Sequence, residues 1–211
     1  MITFGVVAAI SYLIGSFPAG YLAGRLADID IRKQGSGNIG ATNVTRVLGK
    51  RYGYPVFALD LLKGFAAVSF SSLIAKHRGT PPESLQFFQL AATVSCVLGH
   101  SFPVWLRFRG GKGVAASAGA LFAMMPLAAV IVIILWIIIF QITRYVSVAS
   151  MTAVLALPIT VALLMQLKKT DDRVFVYFSV AVAAVIILRH RSNLSRLMRG
   201  TEPRFRKGED Q

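Results

Sequence analysis

Six apolar runs, near residues 3 to 24, 54 to 75, 84 to 101, 113 to 142, 149 to 167 and 174 to 189, constrain this chain more than any other feature. Most approach the roughly 20 residues that a helix needs to cross the hydrocarbon core of a bilayer. Hydrophobic residues make up 55% of the chain and charged ones 15%, against about 25% charged in an average soluble domain. The expected fold is an all-α integral membrane protein, with residues 1–211 as a single transmembrane domain. Cys96 is the sole cysteine and cannot form an internal disulfide. Three scattered histidines with few carboxylates argue against a metal site, and nothing calls for a cofactor.

The first run carries no Lys or Arg before Arg25, so it lacks the basic start of a secretory signal and reads as a retained span with its N-terminus outside. The run from 113 to 142 is either one long helix or two short ones broken at Met125 and Pro126, because proline removes a backbone donor and clashes with the preceding turn. Charge placement decides between them. With the break there are seven spans, and Lys76, Arg78, Lys168, Lys169 and Arg173 are the few basic loop residues left on the outer side. Without it the two sides come out nearly even, so the excess of Lys and Arg in cytoplasmic loops favours seven spans and a cytoplasmic C-terminus. Residues 113 to 125 then reach only about 20 Å at 1.5 Å per residue, short of the core thickness. Such a helix must be shielded by neighbours. Its Gly, Ala and Ser content permits close helix contact, whereas the bulky run from Val130 to Phe140 suits lipid.

Three polar, basic segments, 34 to 51, 99 to 113 and 189 to 205, fall on the cytoplasmic face in this arrangement. The net charge of +14 suits anionic ligands and lipid rather than any particular nucleic-acid motif, and none is expected as a partner. In the first segment Gly35, Gly37 and Gly40 satisfy G-x-G-x-x-G. A dinucleotide site requires a preceding strand and a soluble βαβ unit, and here a membrane span precedes the glycines. What survives is local: glycines let backbone N–H groups converge on an anion, with Ser36, Asn38, Thr42 and Asn43 adding short polar groups before a helical turn carrying Arg46. An ordinary Gly/Asn turn is the alternative. In the second segment Gly110, Gly111, Lys112 and Gly113 lead into the small-residue helix, without the Ser or Thr of a Walker motif. Phe102, Trp105 and Phe108 alternate with Arg107 and Arg109, a composition that suits the headgroup region. The third segment sets His190, Asn193 and Glu202 among arginines; it reads either as a basic tail drawn to anionic lipid or, through those hydrogen-bonding groups, as part of a site.

Within the second run Asp60 and Lys63 are helix neighbours, each costing roughly 2.5 to 3.5 kcal/mol at mid-membrane unless paired. They are expected to pair and to support the cytoplasmic site. His77 lies among Lys76 and Arg78 as a solvated residue. His100 reads equally as a base or as a structural histidine.

The stretches GSGNIGATN from Gly35 with Arg46, ALDLLKG from Ala58, GHSFPVWLRFRGGKGVA from Gly99, and the closing pattern of His190, Asn193, Arg196, Gly200 and Glu202 together resemble the bacterial membrane glycerol-3-phosphate acyltransferases that use acyl-phosphate. The resemblance runs in order over nearly the whole chain. Ile39 stands where many relatives have proline and Ala116 where a hydroxyl residue is common; both leave the charged groups untouched. The resemblance implies acyl transfer from acyl-phosphate to the sn-1 hydroxyl of glycerol 3-phosphate, the first acylation of phospholipid synthesis. It also implies a monomer in the bacterial inner membrane whose active site faces the cytoplasm. It assigns Ser36, Arg46 and Lys112 to phosphate recognition and His190 and Asn193 to glycerol 3-phosphate and its attacking hydroxyl. Asn38, Thr42, Asn43 and Gly110 to Gly113 then shape the donor pocket, and Glu202 joins the substrate-binding set. Ser36, Lys112, His190 and Asn193 are the catalytic candidates.

No H-x-x-x-x-D dyad occurs, since Pro82, Trp105 and Ser195 stand five residues beyond His77, His100 and His190. The chemistry is therefore expected to rest on an activated donor, orientation and backbone N–H stabilisation of the oxyanion, with a substrate phosphate oxygen or His190 taking the hydroxyl proton. A small transporter or binding protein for phosphorylated metabolites is the alternative. It would call for inverted repeats and more charges inside the spans.

Overall fold

Every apolar run forms helix. The computed structural model describes residues 2–167 and 173–205, so Lys168, Lys169, Arg206 and Lys207 of the charge count lie outside the described residues. The chain folds as two units, Met1–Met124 and Met125–Gln211, and no strand occurs among the described residues.

The first unit holds α1 (Ile2–Ser16), α2 (Ala19–Leu26), α3 (Ala41–Leu48), α4 (Lys50–His77), α5 (Pro82–Ser101) and α6 (Val114–Met124). Glycines set how closely these helices approach. A Cβ on Gly15 of α1 would fall on the Cys96 carbonyl of α5, and one on Gly99 would fall on the Tyr12 carbonyl. Likewise a Cβ on Gly64 of α4 would meet the Ala116 carbonyl of α6, and one on Gly119 the Leu61 carbonyl. Backbone contact of this kind is how helices associate where lipid removes the hydrophobic drive between them. The short α6 is thus shielded by α4, as its composition predicts.

The expected single run at 3 to 24 is broken in the structure. Pro18 lacks an N–H and disfavours the helical conformation of Phe17 before it, so α1 ends at Ser16 and α2 restarts at Ala19. The break leaves the Phe17 carbonyl available to a side chain. Beyond α2 a short 3-10 turn, Ile31–Lys33, starts at Asp30, whose carboxylate accepts from the Arg32 backbone and guanidinium. The Arg32 side chain holds Asp30 down to about 2.

The second unit holds α7 (Pro126–Thr143), α8 (Val146–Gln166), α9 (Arg173–Arg189) and α10 (Arg191–Met198). The break before α7 falls at Met125, with Pro126 in the first helical turn, where proline's missing donor costs nothing. Ile134, Ile137 and Ile138 of α7 are exposed, matching the lipid-facing expectation. Between α9 and α10 the axis bends by 57°.

Five stretches, Thr3–Leu26, Lys50–His77, Pro82–Leu106, Pro126–Thr143 and Val146–Gln166, are long and apolar enough to cross a membrane, and a sixth is reached when α9 and α10 are counted together as one bent span. The protein is therefore a multi-pass membrane protein. At 11 residues α6 falls below that length.

Candidate active site

The first glycine-rich segment is organised by Asn43, which is only 2% exposed. Its Oδ1 accepts from the Ser36 N–H at 2.8 Å. Its Nδ2 donates to the carbonyls of Gln34 at 3.0 Å and Asn38 at 2.9 Å, with Ile31 further off at 3.4 Å. Gly35 at φ +56° and Gly37 at φ +70° turn the chain around this amide, and a Cβ on Gly35 would strike Asn43 Oδ1. Asn38 then caps the turn by accepting from the Gly40 N–H at 2.8 Å. Ser36 is left exposed on the rim, Thr42 half-buried in the first turn of α3, and Arg46 exposed in its last turn. Below them Ile31, Ile39, Val44 and Val56 are buried in one apolar cluster that anchors the loop.

The second segment folds back on the end of α5. Gly110 N–H donates to the Ser101 carbonyl at 3.1 Å and Gly111 N–H to the His100 carbonyl at 3.0 Å. These two amides hold the loop in place, which qualifies the reading of Gly110 and Gly111 as an open anion nest. Both glycines are sterically required: a Cβ on Gly110 would meet the His100 carbonyl and Pro103, and one on Gly111 the His100 Nε2. Gly113 takes φ +85° before α6 begins at Val114. Lys112 is half-buried between them. Arg107 and Phe108 also adopt left-handed backbone, at φ +51° and +61°, which turns Trp105 and Phe108 outward as exposed aromatics.

Asp60 and Lys63 pair as expected, with Nζ 2.7 Å from Oδ1. Lys63 Nζ also donates to the Phe17 carbonyl at 3.1 Å, which explains the use of the α1–α2 break. His100 Nδ1 lies 3.4 Å from the same Asp60 oxygen. These three buried side chains line a narrow cleft with Phe17, Gly20, Ile39 and Pro103.

In the second unit His190 occupies the residue position just before α10, buried at the bend. Its Nδ1 lies 2.8 Å from the Ile186 carbonyl. A carbonyl only accepts, so Nδ1 carries the proton, and when the ring is neutral its lone pair lies on Nε2. Asn193 Nδ2 donates to Glu202 Oε1 at 2.6 Å, and Arg196 Nε to Glu202 Oε2 at 2.8 Å. Burial pushes the Glu202 carboxyl up, but the hydrogen bonds from Asn193 and Arg196, with the Arg196 charge, outweigh it and hold the group below the usual range. Glu202 reaches these partners because the chain reverses at Gly200. There φ is +69°, and Thr201 N–H donates to the Arg196 carbonyl while Gly200 N–H donates to Leu197, the pattern of a Schellman cap. Residues 204 and 205 tie down the α7 end, through Arg204 Nε to the Thr143 carbonyl and Phe205 N–H to that of Arg144. No cluster of three His, Cys, Asp or Glu side chains suited to a metal occurs among the described residues.

The structure therefore gathers Ser36, Asn38 and Asn43 into one knot, fastens Gly110 to Gly113 against His100, and groups Asn193 with Glu202 beside the buried His190. A family model described as glycerol-3-phosphate acyltransferase matches residues 5–200. The chain belongs to this family. The glycerol-3-phosphate acyltransferase of Synechococcus elongatus is 44% identical over 200 residues, covering 94% of this chain and 93% of that protein. That of Staphylococcus aureus is 41% identical over 202 residues, covering 95% and 97%. The crystal structure of PlsY (YgiH), an integral membrane glycerol 3-phosphate acyltransferase, in its glycerol 3-phosphate form matches with a TM-score of 0.82 at 38% identity, over 96% of each chain. Its lysophosphatidic acid form matches with a TM-score of 0.77. This chain is thus a PlsY-type membrane acyltransferase of phospholipid synthesis. Sequence reading of the acyltransferase gave Asn43 and Glu202 as ligand contacts, and geometry adds an organising role to each. The link between Asp60 and His100 went unread, because 40 positions of sequence separate them.

Proposed function

We propose that this chain transfers a fatty acyl group from acyl-phosphate to the sn-1 hydroxyl of glycerol 3-phosphate, releasing lysophosphatidic acid and inorganic phosphate. It does so as a monomer of seven crossings in the bacterial inner membrane, N-terminus outside and polar loops toward the cytoplasm. The observation that carries the reading is the polarity of the α10 groups. The His190 tautomer puts an acceptor at Nε2, and the bond from Asn193 Nδ2 to Glu202 orients the amide with its Oδ1 as a second acceptor. Two fixed acceptors suit hydroxyl donors, and a glycerol backbone offers those. Two phosphorylated substrates bring about four negative charges, which Arg46, Lys112 and the Ser36 loop offset.

The sn-1 oxygen attacks the acyl carbonyl carbon, the carbon–oxygen bond to phosphate breaks, and phosphate leaves with the electron pair. The hydroxyl proton passes to a phosphate oxygen of the substrate or to His190 Nε2. Thr42 and Gly113 shape the donor side, and the acyl chain enters from lipid. The test is phosphate release by the full chain in lipid from acyl-phosphate plus glycerol 3-phosphate, with acyl-CoA as the control donor. Turnover with acyl-CoA alone overturns the donor assignment. Replacing His190 with Gln separates the two bases: loss of a titration near about 6.5 in the rate profile assigns the proton to His190. An unchanged profile assigns it to the substrate. Lys112→Ala is expected to remove about 2 kcal/mol of transition-state stabilisation, roughly 30-fold in rate.

A further inference from the structure

An ion pair inside a membrane helix is costly, and a well-packed apolar pair in its place is often neutral or better for stability. The Asp60–Lys63 pair therefore calls for a geometric reason. Lys63 Nζ bridges Asp60 Oδ1 at 2.7 Å and the Phe17 carbonyl at 3.1 Å, so α4 is fastened to the break between α1 and α2. On the other side of Asp60 stands the His100 ring, Nδ1 3.4 Å from the same oxygen. The far edge of that ring presses on the second glycine-rich segment, for His100 Nε2 leaves no room for a Cβ on Gly111. The His100 carbonyl in turn accepts the Gly111 N–H at 3.0 Å. The ring is buried and its outer nitrogen packs against Gly111. Ile39 of the first glycine-rich segment lines the same cleft as Asp60, Lys63 and His100, and its carbonyl sits where a Cβ on Gly20 would fall.

We propose that Asp60, Lys63 and His100 form a buried strut that sets the Gly110–Gly113 loop, and with it Lys112, against the loop carrying Ser36. They are positioning residues, acting through Lys112. This rests on the functional reading above, because it takes Lys112 to meet a phosphate.

The test is a double-mutant cycle on the full chain in lipid. Asp60→Asn with Lys63→Met removes both charges and leaves none unpaired. The strut predicts a fall in turnover of at least tenfold in this variant. Added to Lys112→Ala, the same pair of changes should cost no more than a further threefold, since both act on one group. A nitroxide on Lys112→Cys should become more mobile when the charge pair is removed, and this readout does not depend on which donor is used. Cys96 is fully buried and does not compete for label. If the wild type releases no phosphate from acyl-phosphate, the functional reading fails while the spin label still decides the strut. Turnover within threefold of wild type, multiplying losses in the cycle, or an unchanged nitroxide spectrum each overturn the proposal. Should the charge-pair variant fail to fold, His100→Ala goes through the same cycle with the same criteria. If that also fails to fold, the three groups serve folding and the positioning role is refuted.

Discussion

Replacing Asn43 probes the knot that carries Ser36, Asn38 and Thr42. Three of its hydrogen bonds have good geometry, at 2.8, 3.0 and 2.9 Å, and the fourth is long at 3.4 Å. At about 0.5 to 1.5 kcal/mol net for each good bond, Asn43→Ala should weaken the loop by roughly 1.5 to 4.5 kcal/mol. Water can reach Gln34 and Ser36, which are exposed, so the lower half of that range is expected. Asn43→Asp is the sharper probe. It keeps the acceptor for the Ser36 N–H but turns the donor end, which faces carbonyls of Gln34 and Asn38, into a second acceptor. It should therefore destabilise at least as much as alanine despite its near-identical shape. Hydrogen exchange at the Ser36 amide reads the loop, and phosphate release reads its use. The prediction is faster exchange at Ser36 in both variants and at least a tenfold loss of turnover with helical content retained. An Asn43→Asp protein with wild-type exchange and turnover would refute the idea that this amide holds the site.

The Glu202 cluster gives a pH dependence. Its folded carboxyl titrates below the unfolded value, so its contribution is fully present above about 4.5 and is lost as pH falls through the folded value. Acid unfolding followed by circular dichroism should show a shallower slope in Glu202→Gln over that window. Gly200→Ala meets no steric obstacle but places a Cβ at φ +69°, so it should cost about 1 to 2 kcal/mol and weaken the turn that brings Glu202 to Asn193, seen as a lower melting temperature. Gly119→Ala drives a Cβ into the Leu61 carbonyl and should cost about 1 to 3 kcal/mol by overpacking. Gly5→Ala has nothing within reach and serves as the control in the same thermal unfolding series.

What could be read in the sequence was what repeats or stands adjacent. The apolar runs gave the helices, the Met125–Pro126 break followed from proline's missing donor, and the three-residue spacing gave the Asp60–Lys63 pair. The Pro18 break was within reach of the same proline rule but lay hidden in an uninterrupted apolar run. Its consequence, the Phe17 carbonyl turned toward Lys63, depends on a tertiary approach that no local pattern encodes. The glycines were legible as permissive backbone, yet their work divides in a way spacing cannot show. Gly35, Gly37 and Gly113 need their positive φ, whereas Gly110 and Gly111 are there because His100 and Pro103 occupy the space of a side chain. That division changes the chemistry expected of the second loop. With two of its amides engaged by Ser101 and His100 carbonyls, the anion contact proposed for this loop rests more on the Lys112 charge than on a backbone nest. A lysine on a long stem is only as selective as the support beneath it. If Lys112 meets phosphate as proposed, the loop should be sensitive to groups that never touch the substrate, and the buried charges of α4 are where that dependence leads.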